Sequence, residues 1–408
     1  MLPLPDTAYV LVGRCLAPSL TDIQKGDLAR DLARPEICWE ALLAEANRQH
    51  ATPLWFARLQ EHGLLMHLPA DLAAYLAQLH AANGARNRML RDELAMVLEI
   101  FNARGIPVLL LKGAATFADD LYTDNGARLM SDMDLLLPEE HLREAERLLM
   151  MEGYVDDPTN ISPYDVWPDS TRHAHTPSLL HLKRKITVEL HYKVAYGLPG
   201  RILTAEAAWS SAVSGTFRGN TVFWLCPHHR LLHNALHATQ PHREFLQGKV
   251  RLTDIAEFAA LVARYPKEIL PAHFWKVIRR HDLITPIGTY ALMARLLMRS
   301  VIKTPGIQQA NWHRDRLLQS SPPAANRAGL LAANRPLFWR VISFVYDQGH
   351  LPAWTWRNVC YGDDQTSTPA RLGCIGRQMA TRLYRNLHAF ISSLRRKYGR
   401  APHTTESE

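Results

Sequence analysis

The sequence has no CxxC pair: its five cysteines, Cys15, Cys38, Cys226, Cys360 and Cys374, are odd in number and widely spaced. That excludes a zinc ribbon, a dithiol redox motif and a disulfide-stapled miniprotein, and it points to a reducing compartment. No run reaches the roughly 18 uninterrupted apolar residues of a membrane span; even the apolar stretch 290–298 is broken by Arg295. Residues 1–6 lack the basic and apolar segments of a secretory signal, so a cytoplasmic protein without a transmembrane segment is expected. No repeat of fixed period occurs, and 21 Gly and 25 Pro in 408 residues are too few for a low-complexity or collagen-like chain.

What is present is an ordinary globular composition, 47% hydrophobic and 21% charged, in a chain long enough for two or three domains. The net charge of +8 favours polyanionic partners. Most of it sits in residues 371–408, where eight basic side chains face only Glu406 and Glu408. This basic tail could hold nucleic acid or an anionic membrane, with the aromatics before it (Phe338, Trp339, Phe344, Tyr346, Trp354, Trp356) stacking on bases. A packed helix with a solvated charged face is the favoured reading of that tail.

Residues 1–104 read as helical. Thr21 caps a segment through Leu28 and Leu32, segments 36–48 and 71–82 have apolar residues at three-and-four spacing, and a longer helix runs over 86–103 to Gly105. The pattern then changes. Ile106-Pro-Val-Leu-Leu-Leu111 is a continuous apolar run, read as a buried strand, and 114–121 as a helix. Segment 132–137 reads as a strand, and 186–191 alternates cleanly and reads as another, separated by a helix from Pro138 to Gly153 and an irregular excursion over 156–178. From 204 onward the helical period returns, with candidate helices at 228–238, 251–264, 271–281 and 286–303, and 304–336 reads as a linker or loop.

Residues two apart in a strand share a face, so Asp132 and Asp134 project together while Met133, Leu135 and Leu137 turn to the core. In 186–191 the polar face carries Thr187, Glu189 and His191. If the two strands are neighbours, Glu189 becomes a third carboxylate beside the first two. Clustered carboxylates repel, and hard cations such as Mg²⁺ relieve them; three acids can hold two Mg²⁺ ions about 3.5–4 Å apart for in-line phosphoryl displacement. Lys112-Gly113 follows the first strand and opens a helix, where backbone N–H groups and the lysine favour a phosphate. Arg128 can fork onto a triphosphate and Ser131 can hydrogen-bond it. Taken singly, each has a plainer reading: Gly113 as a turn former, Arg128 paired to a nearby acid. Together they form a set that phosphoryl chemistry needs and packing does not.

Three stretches carry a family likeness: Leu111-Lys-Gly-Ala-Ala115, Arg128-Leu-Met-Ser-Asp-Met-Asp-Leu-Leu-Leu137 and Val188-Glu-Leu-His191. The sequence resembles the bacterial nucleotidyltransferases of the DNA-polymerase-β-like superfamily, in particular the group with the pattern LKG…R…SDxDLL…ELH. The likeness spans about residues 90–262 and includes His233, His237, Lys249 and Arg251-Leu-Thr-Asp254-Ile. It implies that Asp132, Asp134 and Glu189 are the catalytic metal carboxylates and that Lys112 and Gly113, with Arg128 and Ser131, contact nucleotide. His191, His237 and Lys249 are candidates for the acceptor side. Two departures stand out. The superfamily's Gly-Ser nucleotide loop is replaced by Lys112-Gly113, and the third acid is a Glu, long enough to reach a metal or to take a proton from an acceptor hydroxyl.

His229, His233 and His237 are four apart, a spacing that can bind zinc, but no fourth ligand is evident and a polar helix face lining the cleft is the favoured reading. Arg230 to His237 also matches the loose arginine–histidine pattern of HEPN-type ribonucleases, a match short enough to arise by chance. His173, His175 and His181 read as solvated loop residues or as lining of the acceptor side.

The expected fold is α+β: a small mixed-sheet nucleotidyltransferase core (105–203) between an N-terminal helical region (1–104) and a helical region completing the cleft (204–303), followed by the linker (304–336) and a C-terminal helical region with the basic tail (337–408). The expected activity is Mg²⁺-dependent transfer of a nucleoside monophosphate from an NTP to a hydroxyl of a small molecule or a natural-product or polysaccharide intermediate. A toxin or RNA-modifying nucleotidyltransferase and a non-catalytic nucleotide-binding scaffold stand as alternatives.

Overall fold

The structure is a computed structural model, and it describes residues 7–157, 173–240 and 250–300. Lys249, the linker 304–336, the aromatic block and the basic tail lie outside the described residues. The chain is α+β, with helices flanking a seven-stranded mixed sheet.

Five helices come first: α1 (Ala8–Cys15), α2 (Asp22–Leu32), α3 (Trp39–Arg48), α4 (Thr52–Glu61) and α5 (Ala70–Asn102). Thr21 starts α2 with a full capping box, its side chain accepting from the Gln24 N–H and the Gln24 side chain accepting from the Thr21 N–H. The sequence pattern suggests two helices on either side of Gly84, yet α5 is one helix of 33 residues. The chain at Gly126 crosses the helix at Gly84, where a Cβ would lie 3.6 Å from the Gly126 Cα. One stripe of α5 is buried throughout. Leu72 and Leu76 join the helical core, Asn83, Arg86 and Asn87 follow, and the stripe continues as Leu90, Leu94, Val97, Leu98 and Phe101. The apolar half packs on the sheet, and each such side chain contributes about 1.5–3 kcal/mol.

Next come β1 (Leu109–Leu110), α6 (Lys112–Asp119), β2 (Asp132–Leu136), α7 (Leu142–Met151), β3 (Tyr154–Asp156), β4 (Leu179–His181) and β5 (Ile186–His191). After α8 (Gly197–Ile202) and α9 (Ala205–Ser210), a hairpin of β6 (Val213–Phe217) and β7 (Asn220–Trp224) returns to the sheet. The stretch after 204 was expected to be helical; Arg218 and Gly219, both at positive φ, close a tight two-residue turn instead. The helices α10 (Pro227–Thr239), α11 (Leu252–Arg264), α12 (Pro271–Arg280) and α13 (Ile284–Met298) follow.

The strand order is β3-β4-β5-β2-β1-β7-β6. β2 and β5 run parallel in the middle, β1 lies antiparallel to β2, and β7 lies parallel to β1. On one face Met133, Leu135, Ile186, Val188 and Leu190 join the core under α5 and α7. The other face carries Asp132, Asp134, Glu189 and His191, with an apolar patch of Leu109, Leu111, Leu136, Val194, Leu203 and Leu225 beside them.

The two helical regions share one hydrophobic core, built from α1–α4 with α10, α11 and α13. Tyr9 donates to the Val250 carbonyl at 3.1 Å, and the Leu252 N–H donates to the Gln49 side chain at 2.9 Å. Among the described residues no helix is long and apolar enough to cross a membrane.

Candidate active site

β2 and β5 pair in the register Asp132 with Thr187, Asp134 with Glu189 and Leu136 with His191. Directly paired residues of parallel strands project from the same face, so Asp134 and Glu189 stand side by side. One ligand atom each from Asp134, Glu189 and His191 lie within 4.8 Å of one another, and all three residues are buried. Among the described residues this is the one group of three or more His, Cys, Asp or Glu side chains so gathered. His229, His233 and His237 do not converge. His229 instead accepts or donates at the Ser211 hydroxyl, 2.8 Å away.

Two nitrogens reach Asp134 Oδ1: the ammonium Nζ of Lys112 at 2.5 Å and the ring Nε2 of His191 at 2.9 Å. β1 ends directly into α6, and the Leu111 N–H donates to the Asp134 carbonyl at 3.0 Å, which places Lys112 beside β2. Lys112 has φ +43°, the left-handed region that an L side chain enters at a cost of order 1 kcal/mol. Glu189 is held at both ends. Ser178 Oγ donates to Oε1 at 2.9 Å, and Oε2 has His191 Nε2 at 3.5 Å and His175 Nε2 at 3.8 Å. The His175 and His191 rings also meet, tilted by 48° with 4.9 Å between centroids, across an isolated antiparallel bridge.

The electrostatics follow from burying charges of both signs together. Burial, then the adjacent Asp134, push the Asp132 carboxyl up to about 6. Burial also opposes ionisation of Asp134, but Lys112 and His191 outweigh it and hold its pKa below the carboxylate range. For Lys112 burial works against the ammonium, and Asp134, Asp132 and Glu189 win, so its pKa rises. His191 follows the same logic: burial lowers it, and hydrogen bonds to Asp134 and Glu189 raise it further. These carboxylates therefore require positive charge. A divalent cation fits this donor set, because two buried carboxylates and an imidazole already converge and a third carboxylate lies at their side.

Other residues singled out from the sequence fall in different places. Ser131 is exposed and its side chain bonds Asp132. Arg128 is tied to Glu257 of α11, Nη2 to Oε2 at 3.1 Å. Gly113 packs closely on that arginine: a Cβ there would lie 3.2 Å from Arg128 Nε and 3.1 Å from Met130 Cε. His191 lies inside the acid cluster. His237 lies on α10, its ring 6.2 Å from that of His233.

A clamp on the loop before β2 escapes the sequence reading. Asn83 Nδ2 donates to the carbonyls of Gly126 and Arg128 at 2.7 and 2.9 Å, and Asn87 Nδ2 to those of Asn125 and Arg128 at 2.7 and 2.8 Å. Arg86 Nη2 donates to the Ser131 carbonyl at 3.1 Å. Burial lowers the Arg86 guanidinium to about 10, with Asp132 acting in the opposite sense. The signal was available: Asn83, Arg86 and Asn87 keep the three-and-four spacing of the apolar stripe that follows them.

The sequence model of an uncharacterised nucleotidyltransferase family matches residues 35–299, more than half of the chain, and the chain belongs to that family. The matched region runs from α3 to α13 and contains the whole sheet with its acidic face. No curated protein and no solved structure matches the chain.

Proposed function

We propose that the protein transfers a nucleoside monophosphate from an NTP to a hydroxyl acceptor with release of pyrophosphate, by the chemistry of the DNA-polymerase-β-like superfamily. The observation that carries this reading is the in-register pairing of Asp134 and Glu189 on adjacent parallel strands, with the Lys112 ammonium on Asp134. Asp132, Asp134 and Glu189, with His191 beside them, would hold Mg²⁺, and the carboxylate set suits two ions. Bound there, the metal would supply Lewis-acid stabilisation of the charge that develops on the phosphoryl oxygens.

The chain's own residues do the rest. Lys112, the backbone at Gly113, and Arg128 bind the triphosphate, and Ser131 orients Asp132 at the rim. The acceptor oxygen bonds to the α-phosphorus as the bond from that phosphorus to the bridging oxygen breaks. The hydroxyl proton passes to Glu189 Oε2, which Ser178, His175 and His191 hold in place. Rate enhancement comes mainly from positioning and fixed charge. The described cysteines, Cys15, Cys38 and Cys226, are all free thiols, which suits the cytoplasm, where NTP and Mg²⁺ are both at hand. In this reading residues 105–203 carry the chemistry, and the helical regions on either side shape the acceptor pocket.

The test is incubation with each labelled NTP, Mg²⁺ and a cell extract, followed by identification of the labelled product. Asp134→Asn and Glu189→Gln are expected to lower transfer by at least about a hundredfold. Full transfer by a folded Asp134→Asn protein would exclude the mechanism.

A further inference from the structure

α10 carries two side chains that this transfer chemistry has not used, Arg230 at the end of α6 and His233 within electrostatic range of the acid cluster. Arg230 and His233 are one turn apart, and each is only 4% exposed. Arg230 Nη1 bonds Asp119, the last residue of α6, and Tyr265 donates to the same carboxylate oxygen at 2.9 Å. Asp119 thus balances the charge of Arg230 while engaging a single nitrogen. Arg230 Nε and Nη2 are buried and have no hydrogen-bond partner among the described residues. The same holds for His233 Nε2. Arg128 repeats the design: Glu257 takes Nη2, and Nε, next to Gly113, has no partner among the described residues.

These groups lie along α6, from Gly113 in its first turn to Asp119 at its end. His233 is within electrostatic range of Lys112, Asp134, His191 and Arg230, and burial together with the Lys112 charge lowers its pKa to about 3. Arg128 and Arg230 both act on the half-buried Tyr122. Four buried nitrogens, from Arg230, His233 and the half-buried Arg128, therefore have no hydrogen-bond partner among the described residues. Protein interiors pair nine-tenths or more of such groups, and a guanidinium N–H left unpaired is among the costliest to bury. Apolar side chains of similar volume would fill the space without that cost. Retaining the nitrogens makes sense where an arriving ligand brings several oxygen acceptors and negative charge to one place.

We propose that Arg230 and His233 are nucleotide-binding residues which, with Arg128, hold the β- and γ-phosphates of the NTP. The inference rests on the nucleotidyl-transfer reading and deepens it. It assigns the phosphate grip to α10 in a chain whose α6 opens with Lys112-Gly113 in place of Gly-Ser. Each guanidinium is pre-oriented by one carboxylate, Asp119 or Glu257, and keeps its remaining donors for phosphate oxygens.

The test is calorimetric titration of the full-length protein, with Mg²⁺, using ATP, GTP, CTP, UTP, the four corresponding monophosphates and inorganic tripolyphosphate. The wild type should bind tripolyphosphate and at least one NTP. Arg230→Gln and His233→Gln should each weaken triphosphate binding about tenfold or more, with monophosphate binding changed less than about twofold. Folded variants that bind triphosphate as tightly as the wild type overturn the proposal, as does equal weakening of mono- and triphosphate. If Arg230→Gln fails to fold because Asp119 loses its partner, His233→Gln decides by the same criteria. A wild type that binds no NTP overturns both this assignment and the transfer reading. A wild type that transfers nucleotide, with variants of normal affinity, overturns the assignment alone.

Discussion

At the scale of single residues, Lys112 and Asp134 define the candidate site. The lysine accepts a left-handed backbone and partial burial, and in return its ammonium neutralises the most buried carboxylate of the group. Removing one member of such a pair leaves an uncompensated charge, which costs more than the pair contributes. Lys112→Met is therefore expected to lower the melting temperature by several degrees in EDTA. Mg²⁺ should restore most of that loss by occupying the exposed charge, and scanning calorimetry with and without the metal reads both effects. A variant as stable as the wild type in EDTA would show that Lys112 does not stand in for positive charge at Asp134.

At the scale of elements, α5 organises the molecule. Its first half fixes the loop that feeds Asp132 into β2, and its second half forms the floor of the sheet. Further along, Glu93 accepts from Tyr154 of β3 and pairs with Arg184 at 2.6 Å, joining the far edge of the sheet to the same helix. The two glycines at the crossing of α5 and the loop predict opposite outcomes. Gly84→Ala meets only ordinary contact with Gly126 and should stabilise the protein by up to about 1 kcal/mol through helix propensity. Gly126→Ala would place a Cβ 2.5 Å from His80 Nε2, the partner of Asp124, and should destabilise by about 1–3 kcal/mol. Urea unfolding of both variants checks the signs.

The strands at 132–137 and 186–191 are legible because one face of each is uniformly apolar, and 186–191 also alternates strictly. β3 and β4 are three residues each, too short to establish a period, and the β6–β7 hairpin carries Ser, Thr and Gly where an alternating apolar face would be sought. Asp-x-Asp alone is a common strand-end or turn feature; Asp132, Asp134 and Glu189 could be singled out because Lys112-Gly113, Arg128 and Ser131 accompany them in order. The partners of Arg128 and Arg230 could not, since Glu257 and Asp119 come from other elements 129 and 111 residues away.

At the scale of the whole molecule, helices from both ends of the family-matched region close one core, so pH acts on all of it together. Burial, then the neighbouring His273 and His229, lower His228 from 6.5 to about 4. Its folded pKa lies below its unfolded one, so the unfolded chain binds more protons under acid conditions. The stability this neutral histidine contributes is complete above about pH 6.5 and is lost as pH falls through about 4. His233, lowered to about 3, acts with the same sign. His228→Phe is expected to flatten the decline of melting temperature between pH 6.5 and 4, and an unchanged acid limb in calorimetry would refute the assignment.

Local patterns were enough to specify the α+β class, the two acid-bearing strands and the lysine at the head of α6, because each depends on spacing within ten residues or so and on which face water reaches. Three-dimensional packing settled everything that depends on distant residues meeting: the pairing that sets Asp134 against Glu189, the enlistment of His191 into the acid group, the clamp from α5, and the neutralisation of each arginine by one remote acid. Those choices are made by register and by the cost of burying charge, and neither quantity can be read from a chain before its segments come into contact.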